Sequence, residues 1–387
     1  MLKLGGKVIE IQNDNSPNSK LYSVSTNPNL PLVLRKQKAF LIQSEDIPEG
    51  FSHYIFFDST SSLTNKTPSN STYTVLTDDF SYLGHDDVIR ISSTKNNARV
   101  LFRAKASNNS FLITEQCNHY CLMCSQPPKV IDDSYIIEET FELITLLPKW
   151  TKEIGFTGGE PTLFGQRFLE LLRHTQSQLP NTGIHILSNG RTFKDIHYAK
   201  QYAEISHFDM MVGIPIYSSD PAKHDYIVQA KGAFDETIRG ILNLKRFNQK
   251  VEIRVVIHKQ SIDGLVELCE FIGRNLLFVD HVALMGLEMM GFTRANLETL
   301  WIDPYDYKDT LSEAVKLLNT YGITTSVYNH QLCLVNKDVL PFYRKSISDW
   351  KNEYAIECNG CKKQSECGGF FSSGIKHGYS SNLKPFL

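Results

Sequence analysis

The sequence predicts an α/β protein in three parts: a β-rich region over residues 1–107, a parallel sheet with outer helices over 108–300, and a cysteine-rich extension over 301–387. After residue 108 short apolar runs alternate with helix-like segments, which is the pattern of parallel strands joined by crossover helices. Before residue 108 the apolar runs are separated only by stretches rich in Asn, Ser, Thr and Pro. The cysteines are concentrated in two short segments, which is typical of metal binding in a reducing compartment.

Composition and charge exclude several classes of protein. The chain has 387 residues, 41% of them hydrophobic and 21% charged, which is ordinary for a globular protein with a large core. The formal net charge of −2 provides no basic surface, so nucleic acid is not an expected partner. No apolar run approaches membrane-spanning length, and the N-terminus carries no signal-peptide pattern. The sequence therefore predicts a cytoplasmic protein without a membrane segment.

The N-terminal region is predicted to be a small β-domain, either a barrel or a sandwich. Its apolar or alternating runs are 8–11, 39–42, 54–57, 73–76, 88–91 and 100–102. Such a domain can be a passive cap, or it can dock a protein substrate or a partner subunit. The sequence leaves both interpretations open.

The central region is predicted to contain six parallel strands, each followed by a helix except the last. The predicted strands are 111–113, 153–156, 184–187, 210–214, 251–257 and 281–285, and the predicted helices are 138–146, 166–178, 193–203, 234–247 and 262–276. In barrels of this type the chemistry lies at the carboxyl ends of the strands. Residues that follow the strands are therefore the candidates for a functional site.

Three cysteines follow the first of these strands. Cys117, Cys121 and Cys124 have the spacing C-x3-C-x2-C and lie directly after the apolar run 110–113. Thiolates are soft ligands that suit iron–sulfur clusters or zinc. A closed structural zinc site uses four ligands, usually in two separated pairs. Three thiolates on a four-iron cluster leave one iron open, so the cluster could bind and reduce a substrate.

A second motif, Gly158-Gly159-Glu160-Pro161, ends the next predicted strand. Together the two motifs resemble the radical S-adenosylmethionine (SAM) enzymes. The resemblance implies a partial (β/α)6 barrel, a 4Fe–4S cluster on the three cysteines, and SAM bound to the open iron. It also implies that the Gly-Gly-Glu-Pro turn contacts the SAM amino group. Met123 stands where the family usually has an aromatic residue, and its thioether can pack against adenine.

Further candidates follow the third and fifth strands. Ser188 and Asn189 come after the third strand, and the resemblance implies a hydrogen bond from this position to the ribose or carboxylate of SAM; the alternative is a plain Asn-Gly turn. Arg254 lies in the apolar fifth strand, and the resemblance implies contact with the SAM carboxylate. The alternative is a structural ion pair with Glu160 or Asp209, because a buried charge requires a partner.

Other residues receive structural interpretations. The segment from His224 to Thr237 resembles the HD…GxFD(E/K)T segment of many peptide-modifying members, with 224–226 predicted as loop and Asp235 as a helix start. Residues 284–288 loosely resemble the adenine-contacting segment of the family. His119 is interpreted as a loop residue and Cys269 as a core thiol on an apolar helix face.

The extension contains a second group of cysteines. Cys358, Cys361 and Cys367 have the spacing C-x2-C-x5-C, and Cys333 lies 25 positions before the first of them. The pattern resembles the auxiliary-cluster segment of SPASM and twitch extensions on radical SAM enzymes. It predicts one auxiliary iron–sulfur cluster with Cys333 as fourth ligand, returned to the others by a helix-like stretch at 340–354. A four-cysteine zinc site is the alternative.

Two segments resemble one particular subfamily of the radical SAM enzymes. Residues 114–129 and 346–371 look like the radical SAM maturase of His-Xaa-Ser repeat systems, usually called the C protein. This implies a peptide or small repeat-protein substrate and a second radical SAM protein as a partner. The alternatives are a radical SAM enzyme acting on a small molecule or tRNA, and a zinc-binding scaffold without activity. The near-neutral charge disfavours tRNA, and the Gly-Gly-Glu-Pro turn disfavours a scaffold.

Overall fold

The computed structural model describes residues 3–12, 19–345 and 352–387. Within the N-terminal part of these residues, seven strands form a closed barrel in the order β1-β5-β4-β3-β2-β6-β7, and β1 pairs with β7 to close it. The strands are β1 (Gly5–Gln12), β2 (Lys20–Ser25), β3 (Lys38–Leu41), β4 (His53–Phe57), β5 (Tyr73–Leu76), β6 (Val88–Ser92) and β7 (Asn97–Phe102). Helix α1 (Leu32–Arg35) and a 3-10 helix, Asp58–Lys66, lie in the connections. The predicted β-rich region is confirmed, and it is a barrel.

The barrel packs against the region that follows it. Val24 and Ile55 point into the barrel, where they are fully buried. Side chains alternate between the two faces of a strand, so neighbouring positions point outward. Leu21 and Val88 use that outer face and join the main hydrophobic core, together with Ile137 of helix α2 (Tyr135–Leu146). The outer face of the barrel therefore packs into the main core, while the barrel interior forms a separate apolar cluster.

A parallel sheet of seven strands, in sequential order, forms the central part of the described chain. The strands are β8 (Ser110–Thr114), β9 (Glu153–Gly158), β10 (Gly183–Leu187), β11 (Met210–Pro215), β12 (Lys250–Ile257), β13 (His281–Gly286) and β14 (Thr325–Tyr328). The predicted count of six was one too low. Strand β14 pairs with β13 through residues such as Val327 and Leu284, so the sheet extends beyond the boundary predicted at residue 300.

The helices between the strands cover the sheet. After α2 they are α3 (Gln166–Gln178), α4 (Ile196–Ala203), α5 (Pro221–Val228), α6 (Ala233–Arg246), α7 (Leu265–Asn275), α8 (Phe292–Ala295), α9 (Leu297–Leu300) and α10 (Lys308–Thr320). Helix α6 buries Phe234, Ile241 and Leu244 at helical spacing. No helix within the described residues has the length and apolar character needed to span a bilayer.

One local prediction is wrong. Residues 224–226 form the middle of α5 and not a loop. Asp220 caps this helix by accepting a hydrogen bond from Ala222 N at 2.9 Å, and Pro221 occupies the first helical position. Both are ordinary helix-start signals, so the sequence contained the information. Asp235 lies in the first turn of α6, close to where a helix start was predicted.

The extension is built mainly from short turns. It contains the 3-10 helices Leu332–Leu334, Lys337–Phe342 and Ile356–Cys358, and the short helix α11 (Ser372–His377). In the described part of the helix-like stretch predicted at 340–354, only residues 340–342 are helical, as the end of a 3-10 helix; Tyr343 bridges to Val327 and Glu353 bridges to Phe370. Residues 346–351 of that stretch lie outside the described residues. Pro341, which cannot donate a backbone hydrogen bond, accounts for the early end of regular structure.

Candidate active site

The cysteine loop, residues 117–124, leaves the carboxyl end of β8. The turn before it is fixed by Asp133, a fully buried carboxylate. Asp133 accepts hydrogen bonds from the Thr114 hydroxyl, the Glu115 N–H and the Gln116 side-chain amide. Because all three donors belong to successive residues, this carboxylate sets the direction in which the chain leaves the sheet. Asp133 was not singled out from the sequence.

The end of β9 lies directly against the start of the cysteine loop. Gly159 N–H donates to Thr114 O and Glu160 N–H donates to Gln116 O, each at 2.8 Å. A Cβ atom at Gly159 would lie 1.9 Å from Gln116 O, which no real side chain could occupy. Gly158 has a φ of +144°, and a Cβ atom there would lie 2.3 Å from Thr114 O. The two glycines are therefore required for the close approach of these two strand ends.

The Glu160 carboxylate is completely buried and joins the end of β9 to the end of β10. Its Oε1 accepts from the Ser188 hydroxyl at 2.8 Å and from the Thr162 hydroxyl and N–H at 2.6 and 3.1 Å. Its Oε2 accepts from Asn189 N–H at 2.6 Å. Burial raises the pKa of this carboxyl, and the four hydrogen bonds oppose that shift. Pro161 is buried beside it as the first residue of a short 3-10 helix.

The turn after β10 reaches back to the cysteine loop. The Asn189 side-chain amide donates to the Asn118 side chain at 2.6 Å, and the Arg191 guanidinium donates to the Asn118 carbonyl at 3.1 Å. Arg191 is itself held by Glu236 of α6 at 2.7 Å. The structure thus brings Ser188 and Asn189 next to Glu160 and the cysteine loop. Asn118 and Arg191 were missed, since a lone Asn and a lone Arg carry no pattern in the sequence.

Helix α5 holds the other side of the cysteine loop. Tyr120 N–H donates to Val228 O at 3.1 Å, and Leu122 N–H donates to Ile227 O at 3.0 Å. The last carbonyls of a helix have no partner within the helix, so they are free to accept these donors. Asp225 fixes the end of α5 by accepting from the N–H groups at the start of α6. The segment that resembled the family's HD…GxFD element therefore contacts the cysteine loop through its backbone.

The three thiols of the loop are partly buried and lie near one another. Burial raises the pKa of the Cys117 thiol to about 12, and burial likewise raises the pKa values of Cys121 and Cys124. Such thiols remain protonated unless a positively charged metal centre offsets the burial. Three soft donors in one short loop fit an iron–sulfur cluster. No group of three or more His, Cys, Asp or Glu side chains within the described residues is arranged as a single-ion site.

Met123 and His119 are buried parts of the loop. Met123 packs in an apolar cluster with Tyr217, Ile227 and Leu300. His119 is 3% exposed, and its Nδ1 lies 3.9 Å from the Cys121 Sγ. Burial lowers the pKa of this imidazole to about 3, so the ring is neutral at physiological pH.

Arg254 belongs to a charged group inside the sheet. Its guanidinium donates to Glu252 at 2.6 Å and contacts the Met285 sulfur at 3.2 Å. The alternative pairing predicted with Glu160 or Asp209 is wrong, because Glu252 is the partner and Asp209 pairs with Lys250 at 2.9 Å.

Glu252 also accepts from His281 at 2.7 Å. Burial by itself raises the pKa of Glu252, but the His281 hydrogen bond and the Arg254 charge together hold it at about 2. Arg254 therefore faces a carboxylate that stays ionised across the physiological range.

The four cysteines of the extension surround one cavity. Cys333, Cys358, Cys361 and Cys367 all line one small space, together with apolar residues such as Leu383 and Phe386. The backbone N–H groups of Leu332 and Gly369 donate to the Cys367 sulfur at 3.5 and 3.4 Å, and Phe386 N–H donates to the Cys361 sulfur at 3.3 Å. Cys333 is thus near the others despite its distance in sequence. Cys269 is fully buried in the core around α7.

A second cavity, which we call the chamber, lies between the end of β13 and the extension. Its walls include Glu288, Trp301, Phe370, Phe371 and Tyr379. Gly369, which lines the chamber, also lines the cavity of the four cysteines, so the two spaces are adjacent.

Residues 111–272 match the family model described as Radical SAM superfamily. Native anSMEcpe with bound AdoMet matches with a TM-score of 0.50 at 14% identity, over 72% of this chain and 92% of that chain. Streptococcus suis SuiB bound to S-adenosylmethionine matches with a TM-score of 0.47 at 15% identity, over 59% of this chain and 51% of that chain. Methylornithine synthase (PylB) matches with a TM-score of 0.42 at 14% identity, over 57% and 64%. The chain spans about half the length of SuiB. At 14% identity the likeness to anSMEcpe establishes the fold alone.

Proposed function

We propose that this chain, whose residues 111–272 match the radical SAM family model, is an enzyme that cleaves SAM reductively and modifies a peptide or small protein. The observation that carries the proposal is the cysteine loop. It presents three thiols at the carboxyl end of β8. The end of β9 holds the backbone directly before the loop, and Arg191 and helix α5 hold the backbone of the loop itself. A loop held from several sides can present ligands in a fixed geometry before any metal arrives.

In this proposal Cys117, Cys121 and Cys124 hold a 4Fe–4S cluster, and SAM binds beside it. Bound there, the cluster and SAM would supply a 5′-deoxyadenosyl radical. The work of the protein is to orient SAM and to exclude water. Gly158 and Gly159 contribute by letting the end of β9 lie flat against the loop, so that its backbone can approach a ligand closely.

Four further residues are proposed to shape the SAM site. The Ser188 hydroxyl donates a hydrogen bond to Glu160, so these two residues are proposed to position the turns after β9 and β10. Asn189 is proposed to face SAM, since it already bridges from β10 to the cysteine loop. The Arg254 guanidinium is proposed to bind an anionic group, and we assign the carboxylate of SAM as that group. Its ion pair with Glu252 would then hold the guanidinium in place.

The four cysteines of the extension are proposed to hold an auxiliary iron–sulfur cluster. Support comes from their shared cavity and from the backbone N–H groups that donate to Cys361 and Cys367. Hydrogen bonds to ligand sulfurs are a usual means of stabilising reduced iron–sulfur centres. Zinc is the alternative occupant, because four thiolates also suit a closed zinc site, but the described cysteines are not arranged around a single ion, which favours the cluster.

The chamber is proposed to receive the substrate. It lies beyond the end of β13, on the side of the sheet where the carboxyl ends of the strands open. Aromatic side chains and the backbone of several glycines form its walls. Such walls suit a peptide segment that inserts one side chain into the chamber. The resemblance to His-Xaa-Ser maturases makes a small repeat protein the proposed substrate, with a second radical SAM protein as a proposed partner. The N-terminal barrel is a proposed docking surface for either.

Mass spectrometry of the repeat peptide after anaerobic co-expression tests the proposal. We expect a defined mass change that requires the cysteine loop, with the variant in which Cys117, Cys121 and Cys124 are all Ala as the control. Production of 5′-deoxyadenosine without any change in the peptide would favour a small-molecule substrate of the same chamber. Protein that contains zinc and no iron would contradict the enzyme function.

A further inference from the structure

Three successive carbonyl groups of the cysteine loop are held by one short segment that follows β13, residues 291–296. The donors are Phe292 N–H to Cys124 O at 2.8 Å, the Thr293 hydroxyl to Met123 O at 3.0 Å, and the Asn296 side-chain amide to Leu122 O at 2.9 Å. The two side-chain donors are 170 and 174 positions away from their acceptors in the sequence. The loop is therefore anchored to an element far along the chain, and not only to its neighbours.

The backbone of residues 291–296 lies so close to the cysteine loop that it leaves no room for a side chain at Gly291. Gly291 has a φ of +54°, and a Cβ atom there would lie 2.3 Å from Cys124 O and 2.7 Å from Ser125 O. The Thr293 side chain is fully buried between the segment and the loop. Since water cannot replace a buried donor, the Met123 carbonyl depends on the Thr293 hydroxyl for its hydrogen bond.

Fixing these carbonyls also fixes the N–H groups beside them. A peptide unit is planar and trans, so a carbonyl that points toward the 291–296 segment forces the next N–H to point away from it. On the opposite side, α5 accepts the N–H groups of Tyr120 and Leu122. The peptide units between Cys121 and Cys124 therefore have little freedom to rotate. Backbone dipoles near ligand sulfurs are among the features that set the reduction potential of an iron–sulfur cluster.

We propose that Thr293 and Asn296 are positioning residues for the cluster bound by the cysteine loop, and that they set its reduction potential and its retention of iron. They do so without touching the thiols, by holding the peptide units that connect them. This inference rests on the proposed cluster site. It does not depend on the identity of the substrate.

Thr293→Val tests the inference, because valine keeps the shape of threonine and removes only the hydroxyl. Thr293→Ser is the rescue variant, since it keeps the donor. Thr299→Val is the matched control: Thr299 lies in the neighbouring helix α9, is exposed, and donates only to the Asn296 carbonyl of its own turn at 2.9 Å. Asn296→Ala removes the contact with Leu122 and serves as a second variant if Thr293→Val does not fold.

The measurements are made on full-length protein reconstituted anaerobically with iron and sulfide. They are the midpoint potential of the cluster, the EPR spectrum of the reduced protein with and without SAM, and the rate at which a chelator removes iron. The SAM-dependent change of the EPR signal identifies the cluster with an open iron, so a signal from the extension does not interfere.

We expect Thr293→Val to shift the midpoint potential, alter the SAM-dependent EPR signal and lose iron faster than wild type. Thr293→Ser and Thr299→Val should match wild type in all three. Wild-type values in both Thr293→Val and Asn296→Ala would overturn this inference and leave the proposed function intact. Wild-type protein that binds no cluster at residues 117–124 would overturn both.

Discussion

The two groups of cysteines differ in number, in setting and in what surrounds their sulfurs. The cysteine loop has three thiols at the open end of a parallel sheet, beside the polar turns that contain Glu160 and Asn189. The extension has four thiols around a cavity built from short turns, and Leu383 and Phe386 contribute to its walls. Three ligands leave a metal position open, whereas four can close a site. An open position is useful only where a ligand can reach it, and the carboxyl ends of the strands provide that access.

The difference also lies in how each group is held. Four other parts of the chain contact the backbone of the cysteine loop or of the turn directly before it: the turns after β9 and β10, helix α5, and residues 291–296. In the extension, backbone N–H groups donate directly to the sulfurs of Cys361 and Cys367, and in the cysteine loop His119 N–H donates to the Cys117 sulfur at 3.4 Å. The contacts from four other parts of the chain control the geometry of the whole loop, whereas the bonds to sulfur stabilise individual ligands. We therefore expect the two groups to respond differently to the same kind of substitution.

The largest effect is expected from replacing Cys117, Cys121 and Cys124 with Ala together. The protein should lose about four irons, one cluster's worth, because no other thiols lie in the loop. SAM cleavage should be abolished, since the open iron is lost with the cluster. Iron content and 5′-deoxyadenosine production measure the two effects, and iron bound by the extension should remain. Continued 5′-deoxyadenosine production by this variant would show that the loop is not the site of SAM cleavage.

The next largest effect is expected from replacing Cys358 and Cys361 with Ala. The metal of the extension should be lost while the cysteine loop keeps its own, because the two groups have separate ligands. We expect SAM cleavage to persist and formation of the peptide product to fall. Metal analysis and product quantification measure this. Loss of SAM cleavage in this variant, with a fully loaded cysteine loop, would contradict the separation of the two groups.

A smaller effect is expected from Gly159→Ala. The added methyl group would overlap Gln116 O, so β9 and the cysteine loop must move apart. Overpacking of this kind costs about 1–3 kcal/mol of folding free energy. The matched control is Gly264→Ala, where a Cβ atom meets nothing within 4 Å and the φ of −107° is ordinary. Denaturant unfolding and iron retention should both distinguish the variants, and equal values for the two would show that the loop tolerates displacement.

Most features that are built from residues near one another in the sequence were predictable from it. The C-x3-C-x2-C spacing, the Gly-Gly-Glu-Pro turn and the alternation of strands and helices are local patterns, and each lies where the pattern indicated. The barrel could not be told from a sandwich, because closure depends on the pairing of β1 with β7, which is 90 residues away. Strand β14 was missed since Thr325–Tyr328 is only four residues long and contains few strongly apolar side chains.

The contacts that hold the cysteine loop were not predictable in the same way. Asn118, Arg191 and Thr293 are single polar residues in unrelated segments, and only the folded chain brings them together. Arg254 was noticed as a buried charge, but its true partner, Glu252, lies two positions away on the same strand face. The alternation of side chains along a strand would have suggested this pair.

The smallest of these effects is expected from Glu160→Gln, which keeps the shape of the side chain and removes its charge. Glutamine can still accept from the Ser188 hydroxyl through its oxygen, but its amide nitrogen cannot accept from Asn189 N–H, which now donates to Oε2 at 2.6 Å. The turn after β10 should then shift, and Asn189 connects that turn to the cysteine loop. We expect SAM binding to weaken by about 1–3 kcal/mol, the scale for losing one charge-assisted hydrogen bond.

Anaerobic calorimetry of SAM binding measures this loss, with Glu170→Gln on the exposed face of α3 as the control. The extension should keep its metal in both variants, because none of its ligands contacts this turn. If Glu160→Gln weakened SAM binding while the EPR spectrum of the SAM-free cluster stayed unchanged, Glu160 would act on SAM and its immediate turn alone. If the spectrum changed as well, the turn after β10 would be part of the support of the cysteine loop, as its hydrogen bonds to Asn118 indicate. Unchanged affinity would exclude Glu160 from the SAM site and leave it a purely structural carboxylate.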